Sequence, residues 1–288
     1  MSSEKNKVGI QGISGSFHEM AAYQYFKNKE IEIIHCENFK KEFLALETSQ
    51  CDHIVVAIEN TLAGSILPNY ALLENSDFTI TGETYLGVEH CLMALPEQQL
   101  QDFDSVFSHP MAFLQCEEFL ANYPNLTPVE KRDTASSAKE ISDKKLENTA
   151  AIGPKGAAEK YGLEVYASNI QTHKLNFTRF LIISKESEEI KNPNKASVVL
   201  QLADKPGALQ HVLETFTKFE INLTKIQSIP VVGKPYTYSF HFDLEWELGT
   251  DWKTALEEAD KKLLQLKILG VYQRGNRSDI LLFSDNKA

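Results

Sequence analysis

The stretch Asp52-His53-Ile54-Val55-Val56-Ala57-Ile58 constrains the fold more than any other. Its apolar residues run without alternation, so a strand here must be buried on both faces. Most are β-branched and pack well on a pleated surface. Strands of this kind lie inside parallel sheets covered by helices on both sides. The run passes directly into Glu59-Asn60-Thr61-Leu62-Ala63-Gly64-Ser65. A carboxylate, an amide, two hydroxyls and a glycine thus gather at the C-terminal end of a buried strand. Ligands bind there in α/β proteins.

A second stretch, Leu175-Asn176-Phe177-Thr178-Arg179-Phe180-Leu181-Ile182-Ile183, reads as another buried strand. Thr178 and Arg179 are costly to bury unless a polar group answers them. Either they face a ligand-binding cleft or they face water. Further polar groups stand at other strand ends. Lys7 to Gln11 is a strand, Gly12-Ile13-Ser14-Gly15-Ser16 a loop, and Phe17 to Phe26 a helix. The unpaired N–H groups of that helix start favour an anion, and Ser16 either caps it or meets a ligand. Val106 to Ser108 is a strand leading into His109-Pro110 and a helix over Met111 to Ala121. Asp133-Thr134-Ala135-Ser136-Ser137 opens a helix, with Asp133 or Thr134 as its N-cap. Gly162 closes a helix over Ala157 to Tyr161.

Glu186 to Lys195 is polar and aperiodic, and reads as a linker. Beyond it the order is strand (Ala196 to Leu202), helix (Ala208 to Phe219), strand (Leu223 to Pro230), strand (Tyr236 to Leu244), helix (Trp252 to Leu264), strand (Ile268 to Tyr272). This βαββαβ order is ferredoxin-like. The 288 residues suggest two domains. A formal net charge of −11 argues against nonspecific nucleic-acid binding. Cys36, Cys51, Cys91 and Cys116 form no C-x-x-C pair, so neither a zinc site nor a disulfide framework is indicated. No apolar run approaches a membrane span, and Met1 to Lys7 is polar with no apolar stretch behind it. The expectation is a cytoplasmic protein with no membrane contact.

Several motifs occur in the order found in prephenate dehydratases: Gly12-x-x-Gly15-Ser16-Phe17-x-x-x-Ala21-Ala22; Ile58-Glu59-Asn60-Thr61 with Gly64-Ser65; Ser108-His109-Pro110 with Gln115-Cys116; Asp133-Thr134-Ala135-Ser136; and Asn176-x-Thr178-Arg179-Phe180. The chain resembles that family over residues 8 to 183. Its C-terminal part is similar to ACT regulatory domains, through the Pro206-Gly207-Ala208-Leu209 turn and the strand Ile221 to Ser228. Met111 and Ile229 depart from the family pattern, standing where many relatives carry Gln and Arg.

The resemblance implies an α/β fold. A two-lobed, type II periplasmic-binding-protein-like catalytic domain would span residues 1–185. Lobe 1 would cover about 1–84 and 170–185, and lobe 2 about 85–169. After a linker at 186–195, an ACT domain would occupy 196–278. The implied activity is the decarboxylating dehydration of prephenate to phenylpyruvate in phenylalanine synthesis, without metal or organic cofactor. L-Phenylalanine would act as effector, and the chain would form a homodimer or homotetramer. Arogenate dehydratase, or a sensor that binds without catalysis, are the alternatives.

Departure of the ring hydroxyl needs a hydrogen-bond or proton donor. Thr178 and His109 are the two candidates. Arg179 either grips a carboxylate with its planar fork or pairs with Glu59. Glu59 would repel a dianion and is read as supporting the loop, and Asn60 and Phe180 complete the catalytic set. Substrate is expected at Ser16, Phe17, Asn60, Thr61, Gly64, Thr134, Ala135, Ser136 and Asn176. The effector is expected at Gly207, Ala208, Leu209, Asn222, Leu223, Gln227 and Ser228.

Overall fold

The computed structural model describes residues 5–186, 190–231, 233 and 237–277. Residues 187–189 of the expected linker, Tyr236 at the expected start of a strand, and Ser278 lie outside them. The chain packs as two units. One holds the residues up to Ile66, Thr84–Phe180 and a C-terminal piece from Asn276; the other holds Leu67–Glu83 and Leu181–Gly275.

The first sheet begins with β1 (Asn6–Gln11), which leads into α1 (Phe17–Tyr25). It continues with β2 (Ile31–Cys36), α2 (Phe39–Glu47) and β3 (His53–Asn60). Both β2 and β3 pair with β1 in parallel. Ile54 to Ile58 are at most 4% exposed, as a strand covered on both faces must be. α2 starts where Asn38 Oδ1 accepts from Lys41 N at 3.0 Å. It carries Glu42, fully buried, into the core. No hydrogen bond of normal geometry reaches either carboxylate oxygen. Burial holds this carboxyl well above the usual range, and the Val55 main chain offsets only part of that. Burial likewise pushes the thiols of Cys36 and Cys51 up to about 11 and about 12. A short β4 (Gly64–Ser65) turns back on β3, pairing Glu59 with Ser65 and Asn60 with Gly64. The segment then forms α3 (Leu67–Glu74) and β5 (Thr79–Gly87).

The second sheet takes β6 (Cys91–Ala94), β7 (Ser105–Ser108), α4 (Pro110–Gln115), α5 (Glu117–Ala121) and β8 (Thr127–Glu130). α6 (Thr134–Lys144), β9 (Thr149–Gly153), α7 (Lys155–Tyr161) and β10 (Glu164–Ala167) complete it. Its strand order is β10-β6-β9-β7-β8. Two apolar clusters cover its two faces, one around Leu92, Val106 and Ile152, the other around Met93, Ala138 and Ala151. The single helix expected over Met111 to Ala121 is broken at Cys116, which is fully buried and has φ −112°. Its N–H bonds to both Ala112 O and Phe113 O, closing one helix before the next begins. β8 escapes a sequence reading because it is a short edge strand containing Pro128. β11 (Phe177–Ser184) returns the chain to the first sheet, whose order is β2-β1-β3-β11-β5.

The other unit is built on β12 (Lys195–Gln201), α8 (Ala208–Lys218), β13 (Asn222–Pro230), β14 (Tyr238–Glu245), α9 (Trp252–Asp260) and β15 (Gln265–Tyr272). The strands are antiparallel in the order β13-β14-β12-β15, the ferredoxin-like arrangement. One face packs Val198, Leu200, Phe242 and Leu244 against Val212, Phe216 and Leu256 of the two helices. Most alternate residues of β12 and β14 point the other way and are polar yet buried: Lys195, Ser197, Ser239, His241, Asp243 and Glu245. Lys195, at the expected end of the linker, opens β12 and is 1% exposed. Its Nζ lies 2.9 Å from Glu83 Oε2 and 3.0 Å from Glu245 Oε1. Ser197 bonds the Asp243 carboxylate and meets the Tyr272 hydroxyl at 2.7 Å.

Candidate active site

Asn60, the last residue of β3, organises the polar groups at that strand end. Its Oδ1 accepts from Leu62 N at 3.0 Å and Ala63 N at 2.9 Å, which orients the amide. Nδ2 therefore faces β11, where it donates to Asn176 Oδ1 at 2.7 Å, Thr178 Oγ1 at 3.0 Å and Phe177 O at 3.1 Å. That orientation sets every later one. Asn176 Oδ1 is an acceptor, so its Nδ2 donates, to Gln115 Oε1 at 3.0 Å. Gln115 Oε1 also meets His90 Nε2 at 2.9 Å, so His90 must carry its proton on Nε2. Its Nδ1 is a buried acceptor without a partner. Burial lowers the pKa of His90, and the Gln115 oxygen opposes this in part. Gln171 Oε1 holds the His90 main chain through its N–H at 3.0 Å. The chain of amides ends on Thr178, whose oxygen accepts from Asn60 and whose own proton meets no acceptor among the described residues.

The strand ends are tied together around this chain. Thr61 N donates to Phe177 O, Phe177 N to Thr61 Oγ1, and Thr61 Oγ1 to Leu175 O, at 2.9, 2.9 and 3.1 Å. Arg179 is only 3% exposed, and its Nη1 lies 3.2 Å from Glu59 Oε1. This is the ion pair with Glu59 that one of the two roles expected of Arg179 requires. The Phe180 ring meets His18 edge-on at 5.1 Å. Burial lowers the His18 pKa to about 4, with Asp133 opposing it.

The glycine loop is held by the second sheet's helices. A Cβ at Gly15 would come 2.8 Å from Ala157 Cα of α7, and Gly15 has φ +82°, so only glycine fits. Tyr161 donates to Ser14 O at 2.7 Å. Ser16 is the N-cap of α1, its Oγ accepting from Glu19 N at 3.3 Å. Phe17 packs edge-on against His90 at 5.6 Å.

At α6 the cap is Asp133. Its carboxylate takes the Ser136 N–H at 2.6 Å, and Ser136 Oγ donates to Asp133 O at 3.1 Å. Thr134 and Ala135 form the first turn. His109 is exposed and caps α4, its Nδ1 accepting from Met111 N at 3.1 Å. Among the described residues no hydrogen bond ties it to the amide chain, whereas His90, Gln115 and Gln171 belong to that chain or brace it. Gln115 carries a motif signal; His90 and Gln171 carry none, because nothing local marks a residue whose partners come from other strands.

The effector candidates lie in the ferredoxin-like unit. Gly207 precedes α8 at φ +82°, with Ala208 and Leu209 in the first turn. Asn222, Leu223, Gln227 and Ser228 lie on β13, an edge strand whose residues alternate between exposed and half-buried. Among the described residues no group of three His, Cys, Asp or Glu could hold a metal ion. None of their helices is long and apolar enough to cross a membrane.

Fold and site together define an α/β protein of two sheets with dispersed strand-end polar groups, joined to a ferredoxin-like unit. Residues 8–188 match the family model for prephenate dehydratase, and the chain belongs to that family. It is 36% identical over 279 residues to arogenate dehydratase/prephenate dehydratase 2 of Arabidopsis thaliana, covering 92% of this chain and 72% of the relative. The prephenate dehydratase of Arthrobacter aurescens, solved in complex with L-Phe, superposes with a TM-score of 0.82 at 27% identity. That match covers 93% of this chain and 90% of the other. GqqA, described as a quorum-quenching acylase, superposes with a TM-score of 0.84 at 27% identity, covering 93% and 98%.

Proposed function

We propose that the chain converts prephenate to phenylpyruvate. One carboxylate leaves as CO2, its bonding electrons complete the aromatic ring, and the ring hydroxyl departs with one proton as water. The observation that carries this reading is the orientation of Thr178. Its oxygen accepts from Asn60 while its proton stays available, the disposition a donor to a departing hydroxyl requires. His109, whose Nδ1 caps α4 and whose Nε2 is then its donor, is the runner-up. Arg179 and Glu59 neutralise each other and hold the strand ends. The substrate carboxylates then fall to the helix starts at Ser16 and at Thr134 and Ala135, with Phe17, Thr61, Gly64 and Asn176 shaping the pocket. The acylase chemistry described for GqqA would need an activated nucleophile. An amide N–H on Thr178 Oγ1 does not deprotonate it.

Residues 1–185 form the catalytic part in this reading, and residues 196–278 an ACT regulatory domain. L-Phenylalanine is the effector, bound where the Gly207 turn meets β13 of a second copy in a dimer or tetramer. The complex of the Arthrobacter relative with L-Phe supports this. A cytoplasmic location goes with it. Arogenate is the second reading, because the Arabidopsis relative carries both activities in its name. Phenylpyruvate appearance from prephenate and phenylalanine appearance from arogenate are measured side by side. Turnover of prephenate with the higher kcat/KM is expected. Faster turnover of arogenate promotes the second reading, and no turnover of either leaves a binding protein.

A further inference from the structure

We propose that α3 is the element through which the regulatory unit governs the catalytic loop, with Glu74 and Lys267 as its coupling residues. The proposal rests on the regulatory reading above. α3 ends on polar attachments to the regulatory sheet. Glu74 Oε2 accepts from Ser239 Oγ at 3.0 Å and meets His241 Nε2 at 2.9 Å, both on β14. Lys267 Nζ of β15 donates to Glu74 O at 2.6 Å and Ser76 O at 2.5 Å. A cation at the carbonyl end of a helix also matches its dipole. The Tyr70 ring meets the His241 ring edge-on at 5.1 Å, and Lys225 of β13 lies 5.4 Å over Tyr70. The expected effector strand is in register with these anchors: Gln227 pairs with His241 and Ile229 with Ser239.

The other end of α3 leads to the site within a few residues. The helix begins at Leu67, directly after Ile66, whose N–H bonds Ile58 O at 2.9 Å. Just before it, β4 pairs Ser65 with Glu59 and Gly64 with Asn60. Asn60 sets the Thr178 hydroxyl. A displacement of α3 therefore reaches the catalytic oxygen through a peptide bond and one strand pairing. These attachments must have two arrangements, in each of which the buried Ser239 and His241 keep a polar partner. An effector favouring one of them shifts the population.

The test compares wild type, Glu74→Ala and Lys267→Met as full-length proteins. Turnover without effector, inhibition by L-phenylalanine, and phenylalanine binding by calorimetry are measured for each. The expected result is basal turnover and binding like wild type, with the inhibition reduced at least tenfold in potency or amplitude. Variants that bind and are inhibited like wild type overturn the proposal while leaving phenylalanine regulation standing. A wild type that ignores phenylalanine overturns the regulatory reading and the proposal with it. Should Glu74→Ala fail to fold, Lys267→Met decides, since it removes bonds to main-chain carbonyls only.

Discussion

The molecule contains two buried polar clusters built on opposite principles. The catalytic unit strings together uncharged amides, Asn60, Asn176 and Gln115, between Thr178 and His90. The unit with the ferredoxin-like sheet buries ions, with Lys195 between Glu83 and Glu245. An amide has a donor end and an acceptor end, so a chain of them transmits direction. Orienting one group orients all. An ion cluster transmits no direction but depends on its charge balance, since a lone buried charge is far costlier than a lone amide. The amide chain thus spends its polar groups on geometry, and the ion cluster spends its own on holding elements together.

Breaking the ion cluster has the largest expected effect. Lys195→Met removes the cation that lies between Glu83 and Glu245 and should destabilise the ferredoxin-like unit by about 3–5 kcal/mol. Urea unfolding measures it, and a loss under 1 kcal/mol would mean that water already screens the pair. Breaking the amide chain at its output should cost activity and little stability. Thr178→Val keeps the shape and removes the hydroxyl, and kcat should fall by roughly 10² or more with KM less changed. A near-normal kcat would remove Thr178 as the donor and promote His109.

Glu42 sharpens the contrast, because it has neither an oriented amide nor a counter-ion. Its folded pKa lies above its unfolded one, so the folded state binds the proton more tightly. Stability contributed by that proton is fully present below the unfolded pKa and is lost as pH rises through the folded pKa. Glu42→Met should therefore stabilise the protein by about 1–3 kcal/mol at pH 8 and by less at pH 5. Thermal unfolding at the two pH values measures it. An equal gain at both would mean that the carboxyl does not titrate in this range.

Much of the fold is legible in single stretches. The unbroken apolar run of β3 announces a covered strand, and the strand and helix periods beyond residue 195 spell the ferredoxin-like order. Asp133 caps its helix as its side-chain chemistry predicts. The break at Cys116 is not legible, because it follows from a thiol drawn into the core. The site divides the same way. Thr178, Arg179 and Asn60 are visible as polar groups where a strand should be apolar. The direction of the amide chain is not, because it depends on Leu62 and Ala63 donating to Asn60 and on partners up to 118 residues away. His90 sits in a plain stretch before β6 and acquires a role only through Gln115.

The pairing of Asn60 with Asn176 spans 116 residues of chain. A ribosome moving at roughly 5–20 residues per second delivers the second residue about 6–23 s after the first. During that interval β3 has β1 on one side and no β11 on the other. An apolar, unpaired strand edge is the kind of surface that recruits a neighbouring nascent chain or a chaperone. The strand that carries the organising amide is thus also a point at which a growing copy of this protein is open to misassembly.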